Sequence, residues 1–359
     1  GRRSRTIRLT APMDASLTKA TATDPKVLRR IGLVYVSDSE EGIRRERRGR
    51  GFCYRLPDGT LVKDEATLAR IRTLGLPPAY QKVWICLKDN GHLQATGFDA
   101  RGRKQYRYHN DWQEWRSRQK FGELSTFAEA LPRIRRRVAT DLGQSQDDAV
   151  FLLASLVALL DETHLRVGNR AYTRDNGSYG APTLLKRHLS FGGDGSRLSF
   201  VAKGGKRVRR QLHQPRLQKI LEVIADLPGR ELFSWRDAEG EMRRIDSGRL
   251  NAYLTDIAGC PISAKTFRTW GGSVAAFAFA TGQVRQGEIP SIKAMCATAA
   301  EALHNTPAIC RSSYVHPAIL ALATDEDRRA LVRHLLSQKV GRADLKADEA
   351  RLQAYLAEV

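Results

Sequence analysis

Apolar residues change their spacing about a third of the way along this chain. Up to roughly residue 110 they fall in short runs bounded by turn formers, the pattern of strands. Leu33-Val34-Tyr35-Val36-Ser37 is strand-like, and Phe52-Cys53-Tyr54-Arg55-Leu56 runs into a turn at Pro57-Asp58-Gly59-Thr60. Val83 to Leu87 and His92 to Gly97 flank Asp89-Asn90-Gly91 as a hairpin, and Gln105 to Tyr108 forms a further strand. A short helix is predicted over Asp24 to Arg30. From Ser125 onward helical spacing dominates: Phe127–Val138, Asp147–Leu160, Leu217–Ile224, Ser247–Ile257, Ser273–Ala280, Ala294–His304 and Asp325–Leu336. One β interruption breaks this region, where Leu198–Ala202 and Arg207–Leu212 flank Lys203-Gly204-Gly205-Lys206. Gly-Gly between two strand-like runs predicts a two-residue hairpin turn. The expected fold class is α+β: a small β-rich N-terminal domain (residues 1–118), then a mainly α domain (119–359) holding a small β-sheet. The tail, Leu345 to Val359, reads as an amphipathic helix that docks on the second domain.

Charge narrows the partner. The formal net charge is +21 and the pI about 10.2. A dense stretch holds Arg44, Arg45, Arg47, Arg48, Arg50 and Arg55. Each Lys or Arg laid on a phosphate releases condensed counterions, so nucleic acid is the leading partner and an anionic membrane the second. The longest apolar run, Ala149 to Leu160, is too short to span a bilayer, and no signal-peptide pattern opens the chain. An intracellular, soluble protein is expected. The five cysteines are scattered without zinc-knuckle spacing and read as small buried hydrophobes.

Four clusters could carry chemistry, each with an ordinary alternative. Arg166 follows an apolar helix in Thr163-His164-Leu165-Arg166-Val167-Gly168-Asn169, where a helix-end arginine often serves terminal carbonyls. Lys203 and Lys206 bracket a turn, and turn lysines are usually only solvated. Lys265-Thr266-Phe267-Arg268 puts a lysine and an arginine on one face if helical. Tyr314 closes Asn305-Thr306-Pro307-Ala308-Ile309-Cys310-Arg311-Ser312-Ser313-Tyr314, though most tyrosines are packing residues.

In this order, the four clusters resemble the catalytic domain of the type IB DNA topoisomerases, in the compact poxvirus and bacterial branch. The resemblance runs over most of the chain and includes Gly97 to His109, which looks like the family's DNA-contacting strand. It implies a clamp around duplex DNA and a nucleophilic Tyr314 that forms a 3′-phosphotyrosyl bond and frees a 5′-hydroxyl. It implies that Arg166 and Arg268 hold the scissile phosphate, that Lys203 protonates the leaving oxygen, and that Lys265 lies nearby. Gln105, Tyr106, Tyr108 and Tyr172 match DNA-contacting positions; Arg103 and Lys206 are added as contacts. Where the poxvirus branch has a phosphate-binding histidine this chain has Asn305, whose amide can donate a neutral hydrogen bond. His304 takes that place if the register slips by one.

The chemistry agrees with those roles. An attacked phosphodiester gathers negative charge on its equatorial oxygens, which fixed guanidinium groups can hold bidentately. The covalent link conserves the phosphodiester energy, so supercoils of both signs can be relaxed without ATP. No cofactor or metal is expected. Duplex DNA is the expected partner, with no membrane; the expected state is a monomer, nucleoid-associated in the cytoplasm if the source is bacterial. A tyrosine recombinase would share the catalytic logic but carry His-x-x-Arg where Lys265 to Arg268 stand, with a helical N-terminal module. A non-catalytic architectural protein would explain the charge but not four clusters in family order.

Overall fold

The computed structural model describes residues 25–144, 148–168, 173, 177–193 and 195–359, without the side chains of Gln144 and Asp148. It separates into two compact units that divide between Lys120 and Phe121.

In the first unit, helix α1 (Pro25–Arg30) is followed by strands β1 (Gly42–Arg48) and β2 (Gly51–Arg55), helix α2 (Glu65–Thr73), and strands β3 (Gln81–Cys86), β4 (Leu93–Phe98) and β5 (Lys104–Tyr108). The strands form one antiparallel sheet in the order β2-β1-β3-β4-β5. Ile43, Ile71, Val83, Ile85 and Ala95 make its core. The arginine-dense stretch is itself a strand, with only Gly42 and Ile43 buried. Arg45 fastens it by donating to the carbonyls of Leu76, Pro77 and Tyr80 at 3.3, 3.0 and 2.6 Å.

The strand expected at Leu33–Ser37 does not form. Val34 makes a single parallel bridge to Gly91. At the next step the Val36 N–H donates to the His92 Nδ1 at 3.1 Å. An imidazole nitrogen thus stands where a ladder would offer a carbonyl, and pairing stops.

Helix α3 (Asn110–Gln144) starts well before the expected Phe127. Its apolar spacing continues upstream through Leu124, Phe121 and Trp112, but the polar run Gln113–Lys120 hides it in the sequence. The second unit continues with α4 (Asp148–Thr163), β6 (Leu189–Gly192), β7 (Gly195–Ala202), β8 (Lys206–Leu212), α5 (Pro215–Asp226), the short pair β9 (Ser234–Arg236) and β10 (Met242–Arg244), and α6 (Ser247–Ala258). Then come α7 (Lys265–Arg285), α8 (Ile292–Leu303), α9 (Pro307–Ser313), α10 (Pro317–Leu320), α11 (Glu326–Ser337) and α12 (Ala347–Glu358). The architecture is therefore an N-terminal sheet followed by a mainly helical region with a small sheet, β6-β7-β8.

One core unites these helices, with Phe127 edge-on to Phe267 at 4.9 Å between ring centroids. The C-terminal helix α12 belongs to it: Tyr355 is buried and donates to the Ala318 carbonyl at 2.7 Å. Glu349 of α12 and Asp161 of α4 share Arg135 of α3, at 2.7 and 2.8 Å. Removing Arg135 would leave two largely buried carboxylates without their partner. Among the described residues no helix is long and apolar enough to cross a membrane.

Burial disfavours the charged form of His92, His164, His188, His304 and His316, whose pKa values all lie below the ordinary histidine range. For His164 and His316 the value is about 4, against 6.5 for a free side chain. The unfolded chain therefore binds more protons than the fold between about pH 4 and 6.5. Stability should fall as pH drops through that window, already between pH 6.5 and about 5, before most carboxylates titrate. Urea midpoints at stepped pH check this; a flat profile from 6.5 to 5 would contradict it.

Candidate active site

Most of the candidate residues described in the second unit sit at or near the end of an element. Helix α4 stops at Thr163 because His164 turns left-handed, at φ +51°. A non-glycine residue there costs about 1–2 kcal/mol, and packing over-determines it. The His164 ring lies against Gly271 of α7, where an added Cβ would stand 2.4 Å from the ring. The next residues form the Arg166 loop, whose Arg166 carbonyl accepts from the Ala181 N–H at 2.9 Å. Two glycines let the loops cross: a Cβ on Gly180 would fall 2.2 Å from the Gly168 nitrogen and 2.7 Å from the Arg166 oxygen.

Lys203 lies in the hairpin connection, which is a three-residue loop, Lys203–Gly205, closed by the pair Ala202↔Lys206. The expected two-residue turn is not formed. Gly204 and Gly205 both take positive φ, +82° and +75°, so the loop needs a residue without a Cβ twice. Lys206 is the first residue of β8 and is exposed.

Lys265 opens helix α7, and Arg268 follows one turn later, so the two share a face as the spacing predicts. Lys265 itself is exposed, α7 is buried from Thr266 through Ser273, and Arg268 is only 4% exposed. Its guanidinium donates to the His164 carbonyl at 2.7 Å and to the Leu303 carbonyl at 2.6 Å. Its centre lies 5.1 Å from the Tyr314 ring centroid, and its buried Nε makes no hydrogen bond among the described residues. Burial lowers the Arg268 pKa first, repulsion from Arg166 second, with Tyr314 opposing both.

Tyr314 ends α9. The Ser273 hydroxyl of α7 holds its backbone, donating to the Tyr314 carbonyl at 2.9 Å and accepting from the His316 N–H at 3.1 Å. Gly272 makes the approach possible, since a Cβ there would be 3.1 Å from the Tyr314 Cβ.

Arg166, Lys203, Lys265, Arg268 and Tyr314 line one cavity of about 380 Å³, together with Tyr179, Asn251 and Ser263. Among the described residues no acidic side chain lines it. Larger cavities of about 640 and 600 Å³, at Arg230 and at Asn90, gather none of Arg166, Lys203, Lys265, Arg268 and Tyr314.

Asn305 and His304 do not line this cavity. His304 is the left-handed cap of α8, at φ +46°. Asn305 accepts from the Thr306 N–H at 3.0 Å through Oδ1, leaving its Nδ2 buried without a partner. The His304 Nε2 is also buried and unpartnered. Lys206, Arg166 and Arg268 all act electrostatically on Cys310, one turn before Tyr314, whose thiol burial pushes up to about 11. Tyr172 lies outside the described residues.

In the first unit the flagged strand is the sheet edge β5. Tyr106 and Tyr108, exposed on one face, stack at 6.1 Å with planes 12° apart, and the Lys104 ammonium lies over Tyr106. Arg103 and Gln105 turn instead to Asp99, at 2.8 and 3.1 Å. Tyr35 was not flagged: half-exposed, it stacks on His92 at 4.9 Å, and His92 in turn lies 6.1 Å from Tyr108. Only the tertiary contact places it in this aromatic group. Arg210, Gly180 and Ser273 were missed as well, since no local pattern marks them.

A tyrosine among buried and lysine-borne cations, on a mainly helical unit with a small sheet, defines a phosphoryl-transfer site of the tyrosine class. Comparison with known proteins agrees. The model for the catalytic core of eukaryotic DNA topoisomerase I matches residues 109–312, more than half of the chain. The model for the N-terminal domain of bacterial DNA topoisomerase IB matches residues 51–99. The DNA topoisomerase 1B of Acanthamoeba polyphaga mimivirus is 28% identical over 286 residues, 77% of this chain and 85% of that protein. Vaccinia virus DNA topoisomerase 1B and monkeypox virus DNA topoisomerase I are each 23% identical over 238 residues, 65% of this chain and 73% of theirs. The chain belongs to the type IB DNA topoisomerase family.

The backbone crossing at Gly180 generates a prediction. Gly180→Ala should displace the Arg166 loop, costing on the order of 1–3 kcal/mol of stability and slowing single-turnover DNA cleavage by roughly 10²-fold. Cleavage within about threefold of the unmutated rate would show that the Arg166 loop does not depend on this approach.

Proposed function

We propose that this topoisomerase, acting as a monomer, cuts one strand of duplex DNA through Tyr314. The Tyr314 Oη attacks the scissile phosphorus, and a bond to the tyrosine forms as the bond to the 5′ oxygen breaks. The electron pair goes to the 5′ oxygen, which takes a proton from Lys203; the phenolic proton passes to solvent. The strand is left as a 3′-phosphotyrosyl ester and a free 5′-hydroxyl. Rotation about the intact strand relaxes supercoils of either sign, and the reverse reaction reseals the break without ATP because one phosphoester replaces another.

The single observation that carries this reading is the gathering of Tyr314 with Arg166, Lys203, Lys265 and Arg268 around one cavity. Arg166 and Arg268 hold the non-bridging oxygens as charge builds on them. The Arg268 Nε is a buried donor of the kind a phosphate oxygen satisfies; the Asn305 Nδ2, also buried, lies outside the cavity lining and reaches the phosphate only if its loop shifts when DNA binds. Lys265 adds positive charge from the first turn of α7, whose own N-terminus favours an anion. Tyr106 and Tyr108, with Arg103, Gln105, Lys206 and Tyr172, are the DNA contacts that position the duplex. Asn305 is preferred to His304 for the phosphate, because burial keeps the His304 imidazole neutral and Arg210 and Arg268 oppose its charging.

Single-turnover cleavage by two variants tests the roles. Tyr314→Phe should form no covalent adduct while still binding duplex. Lys203→Ala should cleave ordinary DNA about 10²- to 10⁴-fold more slowly. With sulfur in place of the bridging 5′ oxygen it should approach the unmutated rate, since a thiolate leaves without a proton. An adduct from Tyr314→Phe would remove the nucleophile assignment; failure of the sulfur to restore Lys203→Ala would move the acid to Lys265 or Lys206.

A further inference from the structure

The carbonyls at a helix C-terminus have no intrahelical donor and carry partial negative charge. Two such ends meet beside the active site, those of α4 and α8. Arg268 bridges them through His164 and Leu303. Arg210 bridges them too, one residue earlier on each. Its Nη2 donates to the Thr163 carbonyl at 3.2 Å and to the Ala302 carbonyl. Arg210 belongs to β8, the strand that begins at Lys206 and closes the Lys203 hairpin.

Arg210 does not line the catalytic cavity. It makes no ion pair among the described residues, and its Nε is buried without a partner. Burying an unpaired cation is unfavourable, and an apolar side chain of similar length would avoid that cost. What an apolar side chain cannot do is hold two backbone ends at once. The ends held are informative: Thr163 stands three residues before Arg166, and Ala302 three residues before Asn305.

We infer that Arg210 is a positioning residue that ties the Arg166 loop and the Asn305 loop to the strand of the Lys203 hairpin. The acid and two phosphate contacts then move as one body, although they come from three separate parts of the chain. A DNA strand that orders the hairpin is thereby felt at both loops. The inference rests on the reading of Tyr314 as the nucleophile and adds a residue that touches neither DNA nor the reacting atoms.

Arg210→Met tests it, since methionine fills the space and removes both donations. At saturating duplex, the single-turnover cleavage rate constant should fall about 10- to 100-fold, the scale of a misplaced catalytic group. Duplex Kd should stay within about threefold and Tm should not fall, because an unpaired buried charge has been removed. Amide hydrogen exchange should quicken at residues 164–168 and 304–306 and stay unchanged in α11. Cleavage at the unmutated rate, or exchange raised uniformly, would overturn the inference. If the methionine variant loses several degrees of Tm, Arg210→Lys decides: its single ammonium keeps the charge but reaches one carbonyl at a time. It should cleave at a rate between the other two, and an unmutated rate would again overturn the inference. Unmutated protein that forms no adduct at all would count against Tyr314 chemistry instead, leaving the two failures distinct.

Discussion

The Arg268 guanidinium, held between the ends of two helices, is the contact on which the site depends. A buried arginine is ordinarily neutralised by a carboxylate, and a carboxylate beside a scissile phosphate would repel it. Carbonyl oxygens at helix C-termini stabilise the cation through partial charges and leave its net charge intact. Arg268 therefore stays cationic and fixed in plane, and the hydrogen bonds that fix it also position His164 and Leu303. From those two residues the chain leads directly to Arg166 and to Asn305.

Packing around α7 completes the arrangement. Phe267 faces the core while its neighbour Arg268 faces the cavity, so apolar burial of one orients the other. Gly271 and Gly272 let His164 and Tyr314 approach the helix closely, and Ser273 pins the backbone at the tyrosine. The result is a set of positive groups gathered around one phenol. That arrangement is costly for a free protein, and a bound phosphodiester would relieve the cost. The net charge of +21 extends the same logic over the whole chain, favouring a polyanion and making the association sensitive to salt.

The sequence carried the fold class and the order of the catalytic clusters because both are local or sequential features. Lys265 and Arg268 one turn apart and proline at the start of α9 specify their own geometry, while the glycines mark the hairpin but not its three-residue loop. Other features depend on partners far along the chain. β1 is a strand made mostly of arginines, so apolar alternation could not reveal it. Leu33–Ser37 looked like a strand and stops at one bridge because His92, 56 residues away from Val36, takes the next donor. Arg210 reads as one more arginine in a basic strand, and its role is visible only once Thr163 and Ala302 are seen beside it. Gly180 opens the short turn Ala181–Thr183, but the reason it must be glycine is the backbone of Gly168.

The central claim is that Tyr314 itself becomes bonded to the 3′ end of the broken strand. Trapping the unmutated protein on nicked or suicide duplex with denaturant, then sequencing the DNA-linked tryptic peptide by mass spectrometry, tests it most directly. The account predicts that the modified peptide begins at Ser312, carries the nucleotide on Tyr314, and leaves a free 5′-hydroxyl on the other DNA fragment. Attachment at any other residue, or through a 5′-phosphate, would contradict it.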